Sequence, residues 1–261
     1  MKRKEVIDHI VKWLKDYCEE SKNQGFVVGI SGGIDSALTA NLCALTGKKT
    51  LLVNLPIKQN LNEVDRALEL SSLLKKKFSN IESQSLNLSP VFEAIEKNFP
   101  KEIQDQLTMA NTRSRLRMTA LYSFAGHHKL LVAGTGNKIE DFGIGFFTKY
   151  GDGGVDISPI ADLMKSEVFA LAETLTVPVS IINAAPTLGL FPDGRSDEDQ
   201  IGASYDELEW AMNFNPTLQD EDDLTLRQKN VLKIFRERNK TNQHKMIPIP
   251  VCTIPKSLRE N

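Results

Sequence analysis

Phe26-Val27-Val28-Gly29-Ile30-Ser31-Gly32-Gly33-Ile34-Asp35-Ser36 is the stretch whose reading decides the fold. A short β-branched and aromatic run enters a turn with two adjacent glycines. An apolar helical pattern follows (Ala37, Leu38, Ala40, Leu42, Cys43), so the stretch reads as strand, loop and helix. Gly32 and Gly33 are expected at positive φ, leaving room for an anion to approach the backbone. The loop N–H groups and the start of the next helix offer a phosphate donors and positive dipole. Ser31 and Ser36 add hydroxyls. Asp35 would repel a phosphate unless a divalent metal bridges the two. The competing reading is a plain glycine turn before a capped helix. The run of matched positions between a strand and a helix weighs against it.

On either side the pattern is regular. Val6, Ile7, Ile10, Val11, Leu14 and Tyr17 predict an amphipathic first helix over 3–20. Thr50 to Leu55 is a second apolar strand, stopped by Pro56. Asn60 or Asn62 caps a helix whose buried stripe includes Ala67, Leu70 and Leu74. Ile81 to Leu88 alternates and predicts a half-exposed strand. Ser89-Pro90 then opens a helix in cap-then-proline order. A long helix is expected from about Ile103 to Gly126, followed by a buried strand, Leu130 to Gly134. Strands alternating with helices in this way predict an α/β fold with a parallel sheet covered on both faces. Ligands of such sheets bind off the carboxyl ends of the strands, where the Gly32-Gly33 loop and Gly134-Thr135-Gly136 both fall. Beyond residue 140 the regularity falls away. Residues 143–154 read as a glycine-rich loop, and helices are predicted at 162–175, 204–213 and 224–240, ahead of a proline-rich tail from Ile247. The acidic cluster Gln219 to Asp223 reads as a helix N-terminus favoured by the dipole.

The 261 residues are 41% hydrophobic and 25% charged, ordinary values for a soluble globular protein. A net charge of −2 gives no basic field of the kind that binds nucleic acid. Cys18, Cys43 and Cys252 form neither a zinc pattern nor a disulfide framework. No secretory core follows Met1-Lys2-Arg3-Lys4, and no apolar run is long enough to span a bilayer. The expectation is a reduced, cytoplasmic protein without nucleic-acid or membrane partners.

Several residues invite chemistry. Asn111, Arg115, Met118 and Tyr122 share one stripe of the long helix, while Arg113 and Arg117 project from another side. Arg115 is placed either to grip a phosphate or carboxylate bidentately or to lie on a solvated basic face. After the fourth strand, Glu140 or Asp141 facing Asp35 would complete a Mg²⁺ site; periodicity does not choose between them. Phe147 to Asp156 mixes aromatics, a lysine, aspartates and glycines, which suits gripping a ring or ribose but also fits a glycine turn. From the residues alone, Lys165, Thr187, His244 and Lys245 read as surface positions.

Ser31-Gly32-Gly33-Ile34-Asp35-Ser36 after a strand resembles the pyrophosphate loop of the ATP pyrophosphatases. Adding Asn111-x-x-x-Arg115-x-Arg117-Met118, Gly134-Thr135 with Glu140, Gly145-Phe146-Phe147-Thr148-Lys149-Tyr150-Gly151-Asp152-Gly153-Gly154, Asp156, Lys165, Pro186-Thr187, Ser204-Tyr205-Asp206 and His244-Lys245, the chain resembles the ammonia-dependent NAD synthetases from about residue 5 to 250. The Phe-Thr-Lys-Tyr-Gly-Asp-Gly-Gly string is the more specific part. The resemblance implies a Rossmann-like doubly wound parallel sheet of the adenine nucleotide alpha hydrolase type. It implies one synthetase domain over 1–261, its sheet core at about 20–180 and a helical C-terminal part over 181–261. It also implies ATP-dependent amidation of deamido-NAD by ammonia through an acyl adenylate, releasing AMP and pyrophosphate. Under it Gly29, Ile30, Ser31, Gly32, Gly33, Ile34, Asp35, Ser36, Thr135, Lys165 and Thr187 contact ATP. Asp35 and Glu140 bind Mg²⁺ and, with Lys165, form the catalytic set. Arg115, Lys149, Asp156, His244 and Lys245 contact deamido-NAD, in a homodimer whose site lies at the interface.

This chain departs from the family pattern in two places. Many members carry Thr-Asp-His-Ala-Ala-Glu where this chain has Thr135-Gly136-Asn137-Lys138-Ile139-Glu140, and an extra residue lies between Glu140 and Gly145. The alternative, a tRNA-modifying ATP pyrophosphatase, shares the loop but calls for a basic surface and cysteines for sulfur transfer.

Overall fold

The structure is a computed structural model that describes residues 1–186 and 196–259. Helix α1 (Arg3–Glu20) buries Ile7, Ile10, Leu14 and Cys18 along one stripe. It is followed by β1 (Gly25–Gly29), α2 (Ile34–Leu45), β2 (Lys49–Asn54), α3 (Leu61–Lys77), β3 (Ile81–Ser85), α4 (Ser89–Asn98), α5 (Gln106–His128) and β4 (Leu130–Val132). The four strands run parallel in the order β3-β2-β1-β4. Gly25 stands opposite Lys49 on one side and Leu130 on the other, which fixes the register. The winding reverses between β1 and β4, and that reversal opens a crevice at their carboxyl ends.

Alternate residues of the central strands feed opposite cores. Phe26, Val28 and Leu52 pack with α1, α2, α3 and a later helix, α6 (Lys165–Thr174). Val27, Leu51 and Val53 pack with α4 and α5. Strands buried on both faces read as continuous apolar runs, which is why β1 and β2 are plain in the sequence. After α7 (Val179–Ile182), a third apolar cluster joins α8 (Asp197–Ile201), α9 (Tyr205–Asn213) and α10 (Leu226–Met246) around Ile139 and Ile144.

The structure corrects four expectations about elements. β3 stops at Ser85 rather than Leu88. Ile139–Ile144, expected as the start of an irregular stretch, is a π-helical turn. A π turn takes up one residue more than an α turn, and this one spans the stretch between Glu140 and Gly145. α6 begins only at Lys165, where the Met164 N–H donates to Glu167 Oε2. α10 runs on to Met246 because Asn239 and Asn242 donate side-chain hydrogen bonds to the carbonyls of Gly143 and Ile144, holding a polar helix in place. The acidic cluster is a helix N-terminus as expected, but of a short 3-10 turn (Glu221–Asp223) in which Asp220 accepts from the Asp222 N–H; it lies ahead of α10, whose own cap is Thr225, and Glu221 pairs with Arg236. Among the described residues, no helix is long and apolar enough to cross a membrane.

Candidate active site

The chain leaves β1 and turns at Gly32, which takes φ +84°, whereas Gly33 is extended at φ −95° and ψ 164°. One glycine, not two, uses the left-handed region. A Cβ on Gly32 would lie 2.4 Å from the Glu63 carbonyl oxygen, and the Gly32 carbonyl accepts from Arg66 Nε. Gly32 therefore packs on α3, while Gly29, Ile30, Ser31, Gly33, Ile34, Asp35 and Ser36 face the cleft. The hydroxyls of Ser31 and Ser36 lie 3.1 Å apart and close the loop on itself. The opposite wall brings in Thr135, Gly136, Glu140 and Asp141 after β4, with Lys165 beneath. Counting its open mouth, the cleft encloses about 1390 Å³.

A buried ionic knot lies under the loop. Lys165, which reads as a surface lysine in the sequence, has a side chain only 3% exposed. Its Nζ lies 2.5 Å from Asp35 Oδ2 and 3.2 Å from Glu140 Oε1. Asn137 Nδ2 donates to Asp35 Oδ1 at 3.0 Å, and the Tyr205 hydroxyl donates to Glu140 Oε1 at 2.6 Å. Burial works against the charge on Lys165, but Asp35 and Glu140 outweigh it and hold the ammonium above its ordinary range. Burial pushes Glu140 up despite Lys165, and it also raises Tyr205. Next to them, burial and then Glu140, Asp152 and Asp35 push the Asp141 carboxyl up to about 8. A cation placed against Asp141 would bring it back down.

Asp35 and Glu140 converge on one cation, so their hard oxygens fit Mg²⁺, which is usually held by one or two carboxylates plus phosphate oxygens. Among the described residues no third carboxylate, histidine or cysteine joins them in a metal-binding group. Of the two carboxylates after β4, Glu140 shares Lys165 with Asp35, and no such contact is made by Asp141 among the described residues.

The second expected set gathers elsewhere, around the 147–156 loop. Arg115 Nε donates to the Lys149 carbonyl at 3.3 Å, and Lys149 Nζ to the His244 carbonyl at 2.5 Å. Lys245 Nζ donates to the Phe147 carbonyl at 2.8 Å. The Asp156 carboxylate accepts from Tyr122 OH and the Val132 N–H, which engages both of its oxygens. None of these five lines the cleft, but Phe147, Gly151, Asp152 and Gly154 of the same loop do. The loop is a shared wall. Thr187 lies outside the described residues.

Sequence reasoning missed the roles of several residues in the cleft and in the ionic knot beneath it. Arg117 turns inward, donating from Nε to the Leu55 carbonyl at 2.9 Å, and burial lowers its guanidinium to about 10. Ser114 Oγ holds Asp152 Oδ1 at 2.5 Å. Tyr205 reaches Glu140 because Ser204 and Glu207 form a capping box that sets the start of α9. That Ser-x-x-Glu signature was readable; its target was not.

The NAD synthase family profile matches residues 6–248. An NH(3)-dependent NAD(+) synthetase of Alkaliphilus metalliredigens is 41% identical over 208 residues, 78% of this chain and 83% of the relative. One from Sulfurisphaera tokodaii is 33% identical over 94% of this chain and 87% of its own length. Among solved structures, NMN synthetase from Francisella tularensis matches with TM-score 0.84 and 33% identity, covering 98% of this chain and 99% of that one. The NH3-dependent NAD synthetase of Campylobacter jejuni matches with TM-score 0.77 and 26% identity, covering 97% and 100%.

Proposed function

The chain belongs to the NAD synthase family, and from that premise we propose that it amidates deamido-NAD with ammonia, using ATP and releasing AMP and pyrophosphate. The observation that carries the reading is the Lys165 bridge between Asp35 and Glu140, set directly under a phosphate-type loop. A tRNA-modifying pyrophosphatase would share that loop, but the relatives named above favour the synthetase.

A carboxylate is a poor acyl donor because its leaving group would be an oxide. The acceptor carboxylate attacks the α-phosphorus of ATP, forming a carboxyl–phosphate bond as pyrophosphate leaves. Ammonia then attacks the activated carbonyl and AMP departs with the carboxyl oxygen. The donors of the Gly29–Ser36 loop and the Lys165 ammonium meet the charge gathering on the phosphates, with Thr135 and Thr187 as further ATP contacts. Mg²⁺ held by Asp35 and Glu140 would supply additional charge neutralisation there. Positioning and electrostatics carry the reaction without a covalent enzyme intermediate. Arg115, Lys149, His244 and Lys245 offer the dinucleotide a basic rim on the far side of the 147–156 loop. Asp156 holds that loop to β4 and α5, so its part in dinucleotide binding is positional.

The reading extends to one synthetase domain, a cytoplasmic setting and a homodimer. Val91, Phe99, Ile103 and Leu107 support the dimer: they are exposed at 48%, 41%, 44% and 63% along α4 and the entry to α5. Sedimentation equilibrium should give twice the chain mass of 29.1 kDa; a monomer at micromolar concentration would count against it.

A second reading rests on the Francisella tularensis structure, named as an NMN synthetase and 33% identical over nearly the whole chain. The same chemistry would then amidate the mononucleotide acid. One assay separates the two readings: purified protein with ATP, Mg²⁺ and ammonium, given deamido-NAD or nicotinate mononucleotide, with glutamine as the parallel nitrogen source. NAD, AMP and pyrophosphate in equal amounts are expected with ammonium and deamido-NAD. Faster amidation of the mononucleotide would transfer the assignment to the second reading, and no amidation of either would end both.

A further inference from the structure

Asn137 has no exposed surface, so its hydrogen-bonding atoms have to be met inside the protein. Its side-chain oxygen accepts the backbone N–H groups of Ile139 at 3.1 Å and Glu140 at 3.2 Å, capping the π turn as an asparagine caps a helix. Its side-chain nitrogen donates to Asp35 Oδ1 at 3.0 Å, on a residue 102 positions earlier. These partners fix which end of the amide points where. Turned over, it would set its NH2 against two N–H donors and its oxygen against a carboxylate. Asn137 is a two-ended strut between the loop after β1 and the turn after β4.

The strut and Lys165 divide the two carboxylates between them. Lys165 takes Asp35 Oδ2 and Glu140 Oε1, so those two oxygens converge on one cation. Asn137 takes the other oxygen of Asp35 and the backbone of Glu140. Lys165 couples the carboxylates only while its ammonium stays between them. Asn137 couples them whichever cation is there, because it uses atoms that the cation does not. That matters for a small hard ion such as Mg²⁺, which demands near-ideal octahedral geometry and so depends on how its carboxylates are spaced. Asn137 itself lies behind the cleft wall that Thr135, Gly136 and Glu140 form. A serine there would cap the turn without reaching Asp35, and an aspartate would cap it and repel Asp35. We propose that Asn137 is a positioning residue, setting the distance and aim of Asp35 relative to Glu140 so that the two share one divalent cation. The inference rests on the reading of Asp35 and Glu140 as the metal carboxylates of the amidation site.

The test measures ATP binding to the full chain by calorimetry, once with Mg²⁺ and once with EDTA, in the absence of any acceptor substrate. Asn137→Ser keeps an oxygen that can cap the π turn and removes the donor to Asp35. Its Kd for ATP with Mg²⁺ should rise roughly tenfold, the effect of losing a partner that orients a metal ligand, while its Kd in EDTA stays within about twofold of the unmodified protein's. In an Asp35→Ala background the same substitution should change the Kd with Mg²⁺ by less than about twofold, because no carboxylate is left for the donor to aim. If Asn137→Ser fails to fold, Asn137→Thr, closer in volume and also able to cap, replaces it. An unchanged Kd with Mg²⁺, an equal rise with and without Mg²⁺, or an equal rise with and without Asp35 would make Asn137 a cap only and overturn the proposal. An unmodified protein that binds ATP equally well with Mg²⁺ and with EDTA would overturn it too. If the expected pattern is found in a protein that amidates neither deamido-NAD nor nicotinate mononucleotide, the amidation reading fails and the strut stands.

Discussion

Asp35→Ala lowers turnover by about a hundredfold or more at saturating substrates, the usual effect of removing one preorganised electrostatic group from an active site. Asp35 lies in the first turn of α2, where the loop that would cradle the triphosphate ends. One of its oxygens meets Lys165 at 2.5 Å and the other accepts from Asn137 at 3.0 Å, so the side chain is aimed by two partners from distant parts of the chain. Alanine removes one of the two carboxylates that fit Mg²⁺ and leaves Asn137 without its acceptor. The apparent Mg²⁺ requirement, read by titrating turnover, should therefore rise along with the loss of kcat. Lys165 keeps Glu140 as a partner, so the melting temperature should fall only a little. Turnover that returns to the unmodified value at high Mg²⁺ would confine Asp35 to metal affinity. Turnover unchanged at every Mg²⁺ level would remove it from the site.

The part of this site that was legible in the sequence is the part that is local. Strand β1, its loop and α2 are contiguous, and their signal is periodicity followed by glycines. Of the two caps the sequence offered for α3, Asn60 and Asn62, it is Asn60 that caps the helix, accepting the Asn62 N–H. The stripe Asn111, Arg115, Met118 and Tyr122 was legible too, and the structure gives it a purpose. Asn111 takes Thr148, Arg115 takes Lys149 and Tyr122 takes Asp156, so that face of α5 organises the 147–156 loop.

What was hidden depends on contacts between distant residues. Lys165 looks like an ordinary helix-start lysine because Asp35 lies 130 positions away and Glu140 25 positions away. Arg117 looks equivalent to Arg113 until β2 delivers the Leu55 carbonyl to it. The π turn at Ile139–Ile144 was not visible in the sequence. No apolar periodicity marks it, and its stability comes from Ile139 and Ile144 packing against α9 and α10. The end of α10 was misjudged for the same reason, since its last turns are polar and are fixed by amide side chains rather than by a buried stripe.

Lys165→Met should destabilise the protein by about 3–5 kcal/mol, the cost of removing one partner from a buried ion pair. The melting temperature of a chain this size should then fall by on the order of 10 °C. Methionine replaces most of the aliphatic volume, so the loss reports charge rather than packing. Asp35 and Glu140 have side chains only 18% and 14% exposed, and without the ammonium they face each other unpaired. The sign of the pH dependence follows from their protonation. Lys165 is held above its ordinary 10.5, so its contribution is complete below that value and is lost only as pH climbs past it. Between pH 5 and 8 the unmodified protein keeps it in full. In the variant, Glu140 loses the charge that opposes its burial, and its pKa moves further above the ordinary 4.5. The folded variant then binds more protons than the unfolded chain above that value, and its stability falls as pH rises. The deficit relative to the unmodified protein should thus be small near pH 5 and close to its full size near pH 8. Urea titrations at both pH values, with chelator and without nucleotide, measure it. An equal deficit at the two pH values would move the cost from charge to packing, and no deficit at either would mean that Lys165 is spared for the nucleotide rather than for the fold.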